Sequence, residues 1–318
     1  MKIVVLDGYT LNPGDNPWDE IAAHGEFVCH DRTAPEEILE RSRNADILLT
    51  NKTVLNADTL AELPNLKFIC VLATGYNVVD VEAARERDIP VANVPIYGTD
   101  AVAEYVFALL LNHFRQPHLH SGLVLNGEWS SGGEWSFWRT PLAELAGKTI
   151  GIVGFGRIGR RVGEIASAFK MKVLANDPYH GNEPPYAFEW REIPELFAEA
   201  DVVTLHCNLT PENTGMVDTT LLSRMKKTAY LINTSRGPLV KDFDLADALK
   251  QGVLAGAALD VVSTEPIEAD SPLLKAPNIT LTPHIAWAAL EARRRLTRIT
   301  AENIAAFMAG KPINLVNQ

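Results

Sequence analysis

Residues 148–170, KTIGIVGFGRIGRRVGEIASAFK, leave a folding chain little choice. An apolar β-type run leads into Gly154, Gly156 and Gly159 in GxGxxG spacing, and an amphipathic helical pattern opens on the last of them. The spacing alone is a weak signal. A strand before it and a helix after it make it specific, because each glycine then has a steric task. Gly154 allows the tight turn, Gly156 lets the backbone approach a pyrophosphate, and Gly159 lets helix and strand pack closely. The N–H groups and positive dipole end of the helix face the same phosphates. The next strand, ending LANDP, closes on Asp177, eighteen residues beyond Gly159 (177 − 159). An acidic residue there binds the adenosine ribose hydroxyls and repels a 2′-phosphate. Pro178 and Tyr179 follow, with no arginine to receive one, so NAD is the expected cofactor rather than NADP.

The rest of the chain fits around that unit. Strand-like and helix-like runs alternate throughout, the pattern of parallel sheets with crossover helices. The first third holds five short strands: KIVVLDG, EFVCHD, DILLTN, LKFICVLATG and PVANVP. Six more follow residue 148: KTIGIVG, KVLANDP, ADVVTLHC, TAYLINTS, LAGAALDVV and NITLTPH. Between the sets, DAVAEYVFALLLNHFRQ from Asp100 is a strongly apolar helix. The following SGLVLNGEWSSGGEWSFWRTPLAELAG holds three tryptophans among glycines and serines, a poor core segment. It reads either as an arm that buries aromatics on a second subunit or as a loop folded back on its own domain. A final helix runs from about residue 288 to 309. Its Arg293, Arg294, Arg295 and Arg298 are expected on a solvated or salt-bridged face.

At 318 residues the chain is long enough for two domains. With 47% hydrophobic and 22% charged residues it has globular composition, and a net charge of −11 argues against a nucleic-acid surface. Cys29, Cys70 and Cys207 show no metal or CxxC spacing and read as free thiols in a reducing compartment. The N-terminal apolar run lacks a signal-peptide pattern, and no run approaches membrane-span length. The expectation is a cytoplasmic protein with no membrane or nucleic-acid partner.

Three further strand ends carry polar residues: LINTSRG ends on Arg236, AALDVVSTEP supplies Asp260 and Glu265, and LTPHIAW supplies His284. The carboxyl ends of parallel strands share one edge, so residues distant in sequence can converge there. Arg236 offers a planar fork that holds a carboxylate and polarises a neighbouring carbonyl. His284 can give or take a proton near neutral pH, and Glu265 beside it would stabilise the imidazolium and fix the ring. Opposite a nicotinamide, such a trio suits hydride transfer at a small 2-keto or 2-hydroxy acid. His113, His118 and His120 lack a carboxylate pattern, so no metal is expected. His206 reads as a local hydrogen-bonding residue.

Over nearly its whole length the chain resembles the D-isomer-specific 2-hydroxyacid dehydrogenases, and within them the glycerate dehydrogenase (hydroxypyruvate reductase) branch. The motifs are ATGYNVVD at 73–80, GFGRIG at 154–159, LHCNLTPENTGMV at 205–217, INTSRGPLV at 232–240, ALDVVSTEP at 258–266 and TPHIAW at 282–287. Asn208 stands where a proline is common. The resemblance implies catalytic roles for Arg236, Glu265 and His284. It implies cofactor contacts at Arg157, Ile158, Asp177, Thr234, Ser235 and Asp260 beside the glycine turn, with Arg236 and His284 also facing the cofactor. Backbone groups around Thr74 and Gly75 would grip the substrate carboxylate, together with Arg236 and His284. It implies an α/β fold of two doubly wound parallel-sheet domains with a cleft between them. A flavodoxin-like substrate domain would take residues 1–99 and 289–318, and a Rossmann NAD domain residues 100–288. The segment around Trp135 and Trp138, within about 117–147, would make a homodimer. Other D-2-hydroxy acids, D-lactate or 3-phosphoglycerate among them, remain alternative substrates. A corepressor-like NADH-sensing module is the alternative function on this fold.

Overall fold

A computed structural model describes residues 1–181 and 183–318. The chain forms two compact units, Met1–Gly98 with Trp287–Gln318, and Thr99–Ala286.

In the first unit, strands β1 (Lys2–Val5), β2 (Glu26–Cys29), β3 (Ile47–Thr50), β4 (Phe68–Val71) and β5 (Val91–Ala92) form one parallel sheet. Its order is β2-β1-β3-β4-β5, the flavodoxin-like winding. β3 and β4 are buried along their whole length, which is why ILLT and FICV read as continuous runs rather than alternating ones. The helix Leu290–Met308 lays Leu296, Ala301 and Ile304 against Ile3, Ile47 and Phe68. Of the solvated or salt-bridged expectation Arg293 meets the second, and it is only 7% exposed. Its guanidinium grips the Asp15 carboxylate with two bonds of 2.5 and 2.7 Å and donates to the carbonyls of Leu11 and Ala288. Five donors in a rigid fork let it be buried fully paired, which a lysine could not achieve. Arg294 and Arg298 are exposed as expected.

The second unit holds β6 (Thr149–Val153), β7 (Lys172–Asn176), β8 (Glu189–Trp190), β9 (Val202–Leu205), β10 (Tyr230–Asn233), β11 (Gly256–Leu259) and β12 (Ile279–Leu281). They form a parallel sheet in the order β12-β11-β10-β9-β6-β7-β8. Six of these strands match the sequence pattern. The seventh, β8, is a two-residue edge strand, too short to show a periodicity, and it is held by Trp190 packing on Phe155 at 5.6 Å. The winding reverses between β6 and β9, so the switch point lies where the glycine turn leaves β6. The helices Thr99–Arg115 and Arg157–Ala168 bury Val106, Phe107, Leu110, Val162 and Ala166 on Ile150 and Ile152.

After the first of these helices comes the tryptophan segment. It forms a helix at Pro117–Leu125, one turn at Glu128–Ser131, and then irregular chain. Its polar groups bond to one another: Arg139 pairs with Glu128 at 2.7 Å, its N–H donates to His120 Nε2, and Trp129 Nε1 donates to the Trp135 carbonyl. Its apolar groups face outward, with Leu125 84%, Trp135 86% and Trp138 64% exposed. The three cysteines are free thiols, and among the described residues no helix is long and apolar enough to cross a membrane.

Candidate active site

The turn after β6 is built as its glycines require. Gly154 has φ +92°, and a Cβ there would lie 2.3 Å from the Cys207 nitrogen at the end of β9. A Cβ on Gly159 would lie 2.1 Å from the Gly154 carbonyl oxygen. Either side chain would drive the turn apart. Gly156, the residue preceding the helix, faces open space, where a diphosphate can approach its backbone. Arg157 is exposed and Ile158 half-buried at the start of that helix.

Beside the turn lies a cavity of about 940 Å³, lined among others by Gly154, Asp177, His180, Trp190, Arg191 and Cys207. Asp177 ends β7, and its carboxylate accepts hydrogen bonds from the N–H groups of Phe155 (2.7 Å) and Tyr179 (2.8 Å). It therefore shapes the turn as well as facing the cavity. Across the turn, at the end of β10, the buried hydroxyl of Thr234 has no protein partner, and Ser235 Oγ donates to the Cys207 carbonyl at 2.6 Å. A glycine cradle, a carboxylate in a cavity wall and an orphaned hydroxyl fit a dinucleotide laid across the strand ends.

β10, β11 and β12 are adjacent, so Arg236, Glu265 and His284 all leave one end of the sheet. His284 Nδ1 and Glu265 Oε2 are 2.7 Å apart, with both side chains about a third exposed. That bond leaves Nε2 as the ring position that can work on a ligand. His284 sits at φ +55°, a left-handed conformation uncommon for a residue with a side chain. Asp260, only 1% exposed, accepts at Oδ1 from Thr282 (2.6 Å) and the Ile285 N–H, and at Oδ2 from the Ala286 N–H. Arg236 donates from Nη1 to the Ser235 carbonyl at 2.8 Å. In the other unit, Thr74 and Gly75 follow β4, where Thr74 Oγ1 donates to the Val94 carbonyl and the Thr74 carbonyl accepts from Asn93.

Residues 107–286 match the family described as D-isomer specific 2-hydroxyacid dehydrogenase, NAD binding domain. Over its whole length the chain is 48% identical to a hydroxypyruvate reductase of Blautia hydrogenotrophica, itself covered in full. The chain belongs to the D-isomer specific 2-hydroxyacid dehydrogenase family. A glycerate dehydrogenase of Methylorubrum extorquens is 38% identical over 99% of this chain and 98% of its own. An acyclic imino acid reductase, solved in complex with NADPH and D-Arg, matches with a TM-score of 0.85 and 32% identity over 99% of this chain and 100% of its own. The chain is thus an NAD-binding oxidoreductase of this family.

Several residues of this dehydrogenase escaped the sequence reading. Asn233, fully buried, accepts from the Ser235 N–H and donates to the Arg236 carbonyl, so it shapes the turn that presents Arg236. An asparagine at a strand exit is the available signal. A Cβ on Gly237 would meet the Val262 carbonyl at 1.8 Å, so glycine alone lets the Arg236 turn lie on the loop that carries Glu265. Arg191 lines the cofactor cavity, paired with Glu189 (2.6 Å) and Glu199 (3.1 Å), at a position no motif marks.

The other histidines are local. His113 stacks on Tyr230 at 3.9 Å, and His120 Nδ1 bonds the Gln116 carbonyl. His206 Nε2 lies 2.9 Å from Thr204 Oγ1, and burial holds its pKa down to about 3 against an ordinary 6.5. Below pH 6.5 the unfolded chain binds a proton at this residue that the folded enzyme does not, so its contribution to stability is complete above pH 6.5 and falls as pH drops toward 3. The melting temperature should therefore decline between pH 7.5 and pH 5, and His206→Gln should flatten that decline in thermal scans. An unchanged slope in the variant would remove His206 from the account.

Proposed function

We propose that this enzyme reduces small 2-keto acids, hydroxypyruvate or glyoxylate first, to D-2-hydroxy acids with NADH. The observation that carries the reading is the 2.7 Å His284–Glu265 pair on the sheet end that also bears Arg236. When bound, NADH supplies the hydride that reduces C2. His284, charged and held by Glu265, gives its Nε2 proton to the oxygen that becomes the hydroxyl, and takes it back in the oxidative direction. Arg236 binds the carboxylate and polarises the keto oxygen through its fork. Thr74 and Gly75, in the first unit, offer main-chain N–H groups to a substrate carboxylate. Gly154, Gly156, Arg157, Ile158 and Gly159 hold the pyrophosphate side of NAD and Asp177 the ribose. Thr234, Ser235 and Asp260 support the nicotinamide side. The names of the Blautia and Methylorubrum relatives support hydroxypyruvate and glycerate as the substrate pair.

NADH oxidation measured across glyoxylate, hydroxypyruvate, pyruvate and bulkier 2-keto acids tests this, with the first two expected to lead in kcat/KM. Activity confined to branched or aromatic keto acids would overturn the substrate assignment. Tight NADH binding with negligible turnover on all of them would favour a sensing module instead.

The enzyme works in the cytoplasm, as a homodimer joined through the tryptophan segment. Leu125, Trp135 and Trp138 are large apolar side chains mostly open to water on a lone subunit, while Arg139 and Glu128 of the same segment pair with each other. Light scattering at micromolar concentration should give twice the chain mass of 34.9 kDa, and a Trp135→Ser, Trp138→Ser double variant should shift toward one. A monomeric parent protein would contradict it.

A further inference from the structure

We propose that Thr282 is a positioning residue for His284, acting by completing the hydrogen-bond shell of the buried Asp260 carboxylate. The inference rests on the proton-transfer reading of His284.

Three successive N–H groups, those of His284, Ile285 and Ala286, all point at Asp260. The first donates to its main-chain carbonyl at 2.8 Å, the second to Oδ1 at 2.9 Å and the third to Oδ2 at 2.8 Å. Such a run of donors wraps the chain around one acceptor, and it is this wrapping that keeps His284 at φ +55°. An isolated carboxylate at 1% exposure is costly, and among the described residues the bonds to this one come from backbone N–H groups and a hydroxyl. Its stabilisation comes from two backbone donors and one hydroxyl, Thr282 Oγ1 at 2.6 Å, the shortest of the set. Thr282 lies two residues before His284, and its carbonyl also accepts from the His284 N–H at 3.0 Å. One threonine thus touches both the anchor and the residue being held. Tyr105, from the helix Thr99–Arg115, flanks the pair. Burial pushes its phenol pKa up, the hydrogen bond with the Thr282 side chain works against this, and the Asp260 charge adds weakly to the rise, so Tyr105 adds no second negative charge there.

The chemistry follows from geometry. Without the Thr282 hydroxyl, Oδ1 keeps only the Ile285 N–H and the carboxylate is free to rotate. The turn then relaxes toward ordinary backbone angles and swings the imidazole off Glu265 Oε2. Misplacing a catalytic group by about 1 Å costs up to roughly 10²-fold in rate. Thr282 bonds to none of the glycine turn, Asp177 and Thr234, so its loss disturbs cofactor binding only through Asp260 on the nicotinamide side and should weaken NADH far less than it slows turnover.

The test compares Thr282→Val, which keeps shape and loses the hydroxyl, with Thr282→Ser, which keeps the hydroxyl. Thr282→Val should lower kcat by about tenfold or more while its NADH dissociation constant rises by no more than a few-fold, and its kcat–pH profile should shift to lower pH as the imidazolium loses alignment with its counter-charge. Thr282→Ser should restore rate and profile. If Thr282→Val does not fold, Thr282→Ala is measured the same way. Wild-type kcat and pH profile in the hydroxyl-free variant would overturn the proposal, as would equal impairment of the valine and serine variants. His284→Ala run alongside separates the levels. If it keeps wild-type turnover, the catalytic reading itself fails. If it is inactive while Thr282→Val is normal, only the positioning role does.

Discussion

His284→Ala is expected to fold, bind NADH and turn over roughly 10²–10⁴ times more slowly, the usual loss when a general acid is removed. Folding should survive because the ring is not core: its side chain is 29% exposed and its one described side-chain partner is Glu265. The backbone bonds that hold the turn remain, among them the His284 N–H to the Asp260 carbonyl. NADH binding should survive because the glycine turn, Asp177 and Thr234 lie on other strand ends. Glu265→Gln should be milder and should move the pH optimum for reduction downward, since the imidazolium has lost its counter-charge. Arg236→Lys should act mainly on KM, because an ammonium lacks the planar fork that aligns a carboxylate. Measuring melting temperature, NADH affinity and turnover on one His284→Ala sample decides the matter. A soluble, NADH-binding variant with near wild-type turnover would end the catalytic role of this residue.

The second large effect concerns cofactor choice. The wild-type enzyme should prefer NADH to NADPH by about 10²-fold or more in kcat/KM. A carboxylate about 4 Å from a phosphate charge costs on the order of 4 kcal/mol at an effective dielectric of 20. Asp177→Asn removes the charge and keeps an oxygen to accept from the Phe155 or Tyr179 N–H groups. Asp177→Ala removes both. The asparagine variant should therefore gain NADPH activity with a smaller loss on NADH, whereas the alanine variant should lose on both while narrowing the ratio. Kinetics with both cofactors on the three proteins checks this. Equal efficiency with NADH and NADPH in the wild type would refute the role of Asp177.

Much of this architecture was legible because its rules are local. The GxGxxG turn, the acidic residue at the end of the next strand and the apolar strand runs are dictated by sterics and periodicity within tens of residues. The convergence of Arg236, Glu265 and His284 needed only the rule that parallel strands end at one edge. What escaped depends on contacts between distant segments. Arg293 read as solvated or salt-bridged, but a helix pattern does not reveal that its partner is Asp15 or that its guanidinium is buried. Strand β8 was invisible because two residues carry no period. Asn233 and Gly237 looked like ordinary turn residues until their neighbours, the Arg236 carbonyl and the Val262 backbone, were in place. Asp260, implied by family resemblance as a cofactor contact, proves also to be the anchor of the His284 turn, which only the three converging N–H groups reveal.

The proposed reduction puts the hydride of NADH on one face of C2 of a small 2-keto acid and the His284 proton on its keto oxygen. Incubating the wild-type enzyme with hydroxypyruvate and NADH, then resolving the glycerate formed on a chiral column, tests it most directly. D-glycerate is expected in one-to-one ratio with NADH consumed, and is expected to be lost with His284→Ala. L-glycerate, or no glycerate despite bound NADH, would contradict it.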